Sequence, residues 1–490
     1  MKKAVSILLS LILIISAVSL AAEAESSYDP IIYVTGFGSS TLTKDLGTQN
    51  EIDVLYPDSK TIAKVAAKVV PDYVAFRVSD DYDKFTDDII DAVKLLFDDL
   101  KCDDNGNSVK NISVKNENIV TPEQPYGKCN FFFYDWRKDV TETADELNGY
   151  LNAVLEATGR TKAALLCSSM GCCIGSAYIA EYGYSKLSSI TMSSSAAMGV
   201  DVLGKLLSGN LDLYYTPIYD YLVSLDLLSK ANLSESAIRT INSFGGINTV
   251  LSDIATAISE AEDKLFSELV CPFLSKMPGI WSFVKNDMID ECKEKTGIVP
   301  GSALEKKIDN YLKGVRPKIV PALKSALSAS VKLAIISGYN LEPSPVVGNL
   351  SYQSDNLIAT ADSSFGAVCM NLGKTFSDSY RQVNDDGHYR ISPDKTIDAS
   401  GCAFPENTWF IKDAEHAQFD PRFVYWVAYT GGDVNIYANS KYTQYCSMVG
   451  SEYAPMKLEL SDILPTYLED MKTAIIIMFR IIPSIKKMFR

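Results

Sequence analysis

Apolar runs of strand length alternate with stretches of helical periodicity along much of this chain, and that alternation restricts the fold more than any other feature. PIIYVTG (30–36), CNFFFYDW (129–136), KAALLC (162–167), SSITM (188–192), VKLAIISG (331–338) and TWFIKD (408–413) read as short buried strands. Between 141 and 157, Ala144, Leu147, Leu151, Val154 and Leu155 recur on one helical face, and Gly159 stops the pattern. A second helix-like stretch runs from a small-residue turn after Cys167 to about Tyr182. Strand, helix, strand at these spacings predicts βαβ units and a mostly parallel, doubly wound α/β sheet.

From about Asp201 to Ser330 the strand signals stop. Leu-, Ala- and Ile-rich amphipathic segments take over, broken near Gly245-Gly246, Pro272 and Pro278. This predicts a helical cap over 201–330, inserted between the two parts of an α/β core, 25–200 and 331–470. Within the second part, residues 340–407 are polar and rich in turn formers.

Of the 490 residues, 47% are hydrophobic and 22% charged, a balance that supports a real core and excludes extended disorder. The net charge of −15 argues against nucleic acid as a partner. Residues 1–24 have the form of a secretory signal: Lys2 and Lys3, an uncharged, mostly apolar run from Ala4 to Leu20, then Ala22-Glu23-Ala24. The expected location is therefore secreted or in the cell envelope. At the other end, residues 471–490 mix Arg480, Lys486, Lys487 and Arg490 with apolar residues. That tail is too short and too charged to span a bilayer, but suited to peripheral membrane contact or to docking on the body of the protein.

An exported chain permits disulfides, and Cys102 with Cys129 and Cys271 with Cys292 are close enough in sequence to close short loops. Cys402 with Cys446 is a further expected pair, whereas Cys167, Cys172 and Cys173 read as buried small residues. The chain has no paired CxxC spacing, no phosphate loop with its lysine and no dinucleotide fingerprint, so no metal and no cofactor are expected.

The segment AALLCSSMGCCIG (163–175) carries the chemistry. A buried strand runs into a Ser/Gly turn and then a helix, which lifts Ser169 above the sheet edge with Gly171 two residues on. A serine nucleophile needs a base, and the chain has only two histidines. His388 lies in the polar stretch NDDGHYR. His416 follows the strand 408–413 at the sheet edge where ligands bind in such folds. The acid that orients the base is open among Asp385, Asp386, Asp394 and Asp398, each of which could equally be a turn-forming aspartate.

With these residues in view, the chain resembles the lecithin:cholesterol acyltransferase-like α/β-hydrolases. YVTGFGSSTL (33–42) is similar to that family's first strand and oxyanion loop. FFFYDWR (131–137) is similar to its Tyr-Asp-Trp-Arg motif, LLCSSMG (165–171) to its nucleophile elbow, and DKTI (394–397) to its acid motif. The resemblance implies an α/β-hydrolase fold with Ser169 as nucleophile, Asp394 as acid and His416 as base. It also implies an oxyanion hole from the backbone N–H groups of Phe37 and Met170, and a bracing role for Tyr134 to Arg137. Thr35, Cys167 and Ser168 depart from the family's proline, glycine and histidine, and Ser193-Ser194-Ser195 stands where the family often has Thr-Pro-His. The activity implied is a secreted serine ester hydrolase acting on lipid or other acyl esters. The alternatives are an acyltransferase passing the acyl group to a lipid alcohol, and an inactive binding protein on the same fold.

Overall fold

The computed structural model describes residues 28–54, 59–121, 129–210, 215, 219, 245–343 and 350–456. The expected signal segment 1–24 and the basic tail 471–490 lie outside the described residues. The central sheet has eight strands: β1 (Ile31–Val34), β2 (Asn130–Phe132), β3 (Ala163–Ser168), β4 (Leu187–Ser193), β5 (Lys332–Tyr339), β6 (Thr408–Lys412), β7 (Tyr445–Val449) and β8 (Glu452–Pro455). Their spatial order is β8-β7-β6-β5-β4-β3-β1-β2, all neighbours parallel except the β7–β8 hairpin at one edge. Every strand run read from the sequence is a strand of this sheet. The fold is α/β with a mostly parallel sheet, as in α/β-hydrolases.

Helices cover both faces, and the two-residue period of the strands sorts side chains between them. Ile32, Val34, Leu165, Cys167, Ile190, Leu333 and Ile335 share a core with α3 (Val140–Thr158) and α4 (Met170–Tyr182). On the opposite face, Ile31, Ala164 and Leu166 pack against Val424 and Ala428 of α8 (Pro421–Tyr429). Helix α3 begins where the Asp139 carboxylate accepts the Thr141 N–H and ends at Gly159 in the left-handed region, φ 65°. Helix α4 has almost no exposed side. A Cβ on its Gly171 would strike the Val34 carbonyl, and one on Gly175 would strike the Cys167 sulfur, so both glycines let the helix backbone close on β1 and β3.

Within the expected cap, 201–330, residues 211–214, 216–218 and 220–244 lie outside the described residues. Helix α5 (Asp201–Ser208) and helix α6 (Ile247–Ser259) follow β4, but α6 packs against α1 (Ser59–Ser79) and α2 (Tyr82–Phe97) through Tyr73, Phe76, Phe85, Ile89, Val250 and Ala257. The outlying helical layer is thus drawn from two places in the chain. From Pro278 onward the segment returns to the body: Trp281, Ile289, Leu304, Ile308, Tyr311, Ile319 and Leu323 share the main core. Helix α7 (Ile319–Ser328) lies on α4 and β5 as the crossover helix that feeds β5.

All ten cysteines are free thiols, so the expected pairs Cys102–Cys129, Cys271–Cys292 and Cys402–Cys446 are not formed. Cys292 donates to the Gly204 carbonyl (3.3 Å) and Cys446 to that of Thr443 (3.1 Å), each thiol settled in its own buried environment. Among the described residues no helix is long and apolar enough to cross a membrane.

Candidate active site

Ser169 stands at the junction of β3 and α4 with φ 53° and ψ −122°, a backbone conformation that L residues rarely adopt. Three backbone bonds hold it there. Its N–H donates to the Ser193 carbonyl (3.0 Å), and its own carbonyl accepts from Cys172 (3.0 Å) and Ala196 (3.3 Å). Gly36 lies directly over the turn, where an added Cβ would stand 3.0 Å from the Ser169 Cβ. The side chain is nearly buried, yet its hydroxyl is engaged: Ser169 Oγ is 2.9 Å from His416 Nε2.

His416 sits in the loop after β6, entered through Asp413 and left through Ala417, both at positive φ. The Asp413 N–H donates to the Tyr339 carbonyl (3.0 Å), and Asn340 donates to the Asp413 carboxylate (2.7 Å). On its other side the imidazole meets Asp355: Nδ1 to Oδ2 is 2.9 Å. The Asp355 side chain is fully buried, and its second oxygen, Oδ1, accepts the N–H groups of Leu357 (3.1 Å) and Ile358 (2.7 Å). Those two bonds leave Oδ2 for the histidine and orient it, with Nε2 on the serine side of the ring. Gly338 of β5 makes the approach feasible, since a Cβ there would fall 2.7 Å from the Asp355 Cβ.

The carboxylate that meets His416 is therefore Asp355, not the expected Asp394. Asp394 accepts from Ser392 Oγ (2.6 Å), Thr396 Oγ1 (2.8 Å) and Tyr339 OH (3.2 Å), and lies 3.4 Å from Lys412 Nζ. Those contacts use the carboxylate to close the turn 392–397. The remaining candidates are also occupied locally. Asp385 accepts from Gly387 N–H, Asp386 pairs with Arg390, and Asp398 accepts from Ser400 N–H, Tyr380 and Val383. His388 faces Tyr437, 5.4 Å between ring centroids, and has no part in the triad. Asp355 had one sequence signal: Ser354-Asp355-Asn356 is a turn after β5, and Asn356 adopts φ 75°.

Of the two expected oxyanion donors, Met170 directly follows the serine and Phe37 follows Gly36, which lies against it. Met170 opens α4, where the first N–H groups of a helix have no acceptor within it. Phe37 follows Gly36 in the loop after β1, its ring 45% exposed and set edge-on to Trp136 (4.5 Å between centroids) and Phe283 (6.1 Å). The Tyr134–Arg137 segment braces this loop. Tyr134 OH donates to the Thr35 carbonyl (2.8 Å), and the Tyr134 N–H donates to Ser40 Oγ (3.0 Å). Arg137 forks onto both oxygens of Asp135 (2.9 and 2.7 Å) and donates to the Leu100 carbonyl (3.0 Å).

Beneath the elbow, burial raises the thiols of Cys167, Cys172 and Cys173 above their ordinary pKa. The described residues contain no group of three or more His, Cys, Asp or Glu side chains arranged to hold a metal ion. No protein-family model matches this chain, and no curated protein matches it.

Proposed function

We propose that this chain is a serine ester hydrolase acting through Ser169, His416 and Asp355. The observation that carries the reading is the chain of two 2.9 Å contacts, Asp355 Oδ2 to His416 Nδ1 and His416 Nε2 to Ser169 Oγ, on a strained strand-to-helix turn. In the reaction, Ser169 Oγ attacks the acyl carbonyl carbon while His416 Nε2 takes its proton. Asp355 steadies the imidazolium that results. The tetrahedral oxyanion is held by the N–H groups of Met170 and Phe37. Collapse breaks the ester bond, and His416 gives its proton to the departing alcohol. Water, deprotonated by the same histidine, then attacks the acyl-enzyme and releases the acid and free Ser169.

The half-exposed Phe37 beside Trp136 and Phe283 favours an apolar acyl group next to the nucleophile. The resemblance to lecithin:cholesterol acyltransferase-like enzymes and the signal-like residues 1–24 support an exported enzyme working on lipid or other acyl esters. The test is labelling with a fluorophosphonate probe, comparing the protein with its Ser169→Ala variant. Labelling lost in the variant is expected. A folded protein that resists the probe even with detergent present would leave the fold without this activity.

A further inference from the structure

We propose that Ser194 is a positioning residue that locks the histidine loop to the nucleophile turn, an inference resting on the roles given above to Ser169 and His416. Strand β4 ends at Ser193, whose carbonyl already holds the Ser169 N–H. The next residue, Ser194, turns into the left-handed region at φ 47°, donates its N–H to Ile336 of β5 (2.9 Å) and is buried. Its Oγ accepts the N–H of Ala417 (3.0 Å), the residue directly after His416, which is itself at φ 63°.

That hydroxyl bond crosses the sheet. Ser194 belongs to the loop after β4 and Ala417 to the loop after β6, with β5 between them. On the N-terminal side of His416, Asp413 is fixed to Tyr339 and Asn340. On the C-terminal side the Ser194 hydroxyl supplies the fixed point. Ala196, two residues beyond Ser194, returns to the Ser169 carbonyl. One short loop therefore grips the nucleophile at two points and the base at one, so the Ser169 Oγ to His416 Nε2 separation is set by Ser194 as much as by the acid. Three consecutive serines at 193–195, the departure from the resembling family, acquire a purpose at their middle residue.

The test uses Ser194→Ala, which keeps the Cβ and the backbone preference and removes only the acceptor, with Ser194→Cys as a near-isosteric second variant. With two histidines in the chain, the His416 Nδ1 proton is assignable by nuclear magnetic resonance from its loss in His416→Ala. The expected result for Ser194→Ala is a melting temperature lowered only by the loss of one hydrogen bond, and exchange of that proton with solvent faster by roughly five- to tenfold. Fluorophosphonate labelling slows by a similar factor, and Ser194→Cys falls between the two. A His416 proton that exchanges in both variants as it does in the parent overturns the proposal. A parent protein with a protected His416 proton that never labels refutes the hydrolase reading instead, and Ser194 is still decided by the exchange rates.

Discussion

The Asp355 carboxylate reaches His416 Nδ1 at 2.9 Å across 61 residues of sequence, while Asp394, only 22 residues before the histidine (416 − 394), turns its oxygens to Ser392, Thr396 and Tyr339. Chain order alone would allow either aspartate. The two substitutions separate them. Asp355→Asn is expected to cut turnover or probe labelling by about 10⁴-fold with the fold intact, because the amide favours the wrong imidazole tautomer. Asp394→Asn is expected to leave labelling within about tenfold and to lower stability by about 1–3 kcal/mol, measured by denaturant unfolding. A larger loss of activity in Asp394→Asn than in Asp355→Asn would reverse the assignment.

Arg137 and Asp135 form an ion pair that is almost wholly buried. Replacing the arginine by methionine strands the carboxylate without its partner, at a cost of roughly 3–5 kcal/mol. The double variant Arg137→Met with Asp135→Asn is expected to recover part of that loss, read as the denaturation midpoint. A single variant as stable as the parent would refute the bracing role.

Gly171 has no room for a side chain, since a Cβ would press on the carbonyls of Val34 and Thr35. Gly171→Ala is expected to cost about 1–3 kcal/mol and to move α4, and Ser169 with it, away from β1. Melting temperature and labelling rate should fall together. A control at Gly149, where an added Cβ meets nothing within 4 Å, should change neither downward.

Burial pushes Cys102 and Cys129 up to about 11 and Cys292 and Cys402 up to about 12, against an ordinary thiol near 9.0. Each of these thiols is protonated in the fold at pH values where the unfolded chain has begun to ionise. Their contribution is complete below about pH 9 and is lost as pH rises towards 11–12, so stability should decline on the alkaline side. A thiol reagent at pH 8 should react slowly with the native protein and titrate ten groups after unfolding without reductant. Fewer than ten would mean that disulfides form.

The sheet was legible because each buried strand is a compact apolar run, and α3 because its periodicity and its Gly159 stop are both local. The meeting of Ser169 and His416 was legible for a different reason: a small-residue turn after a strand is common, but the scarcity of histidine leaves few partners for its serine. Asp355 was not, because a buried acid and a turn-capping aspartate look alike until the glycine that admits one of them, Gly338, is seen beside it. Helices α1 and α2 escaped notice since α1 carries Pro71 in its interior and their apolar partners, Val250 and Ala257, lie far along the chain. The disulfide expectation failed because closeness in sequence says nothing about where two buried thiols point.

The order of these residues along the chain has a temporal consequence. The turn that carries Ser169 is held by β1, β3 and β4, yet the imidazole that meets its hydroxyl comes 247 positions later. A chain folded only as far as the first four parallel strands of the sheet therefore has the Ser169 turn without the imidazole that meets it. The contact between Ser169 and His416 thus depends on the segment through Ala417 closing on Ser194, across a strand that lies between them in the sheet.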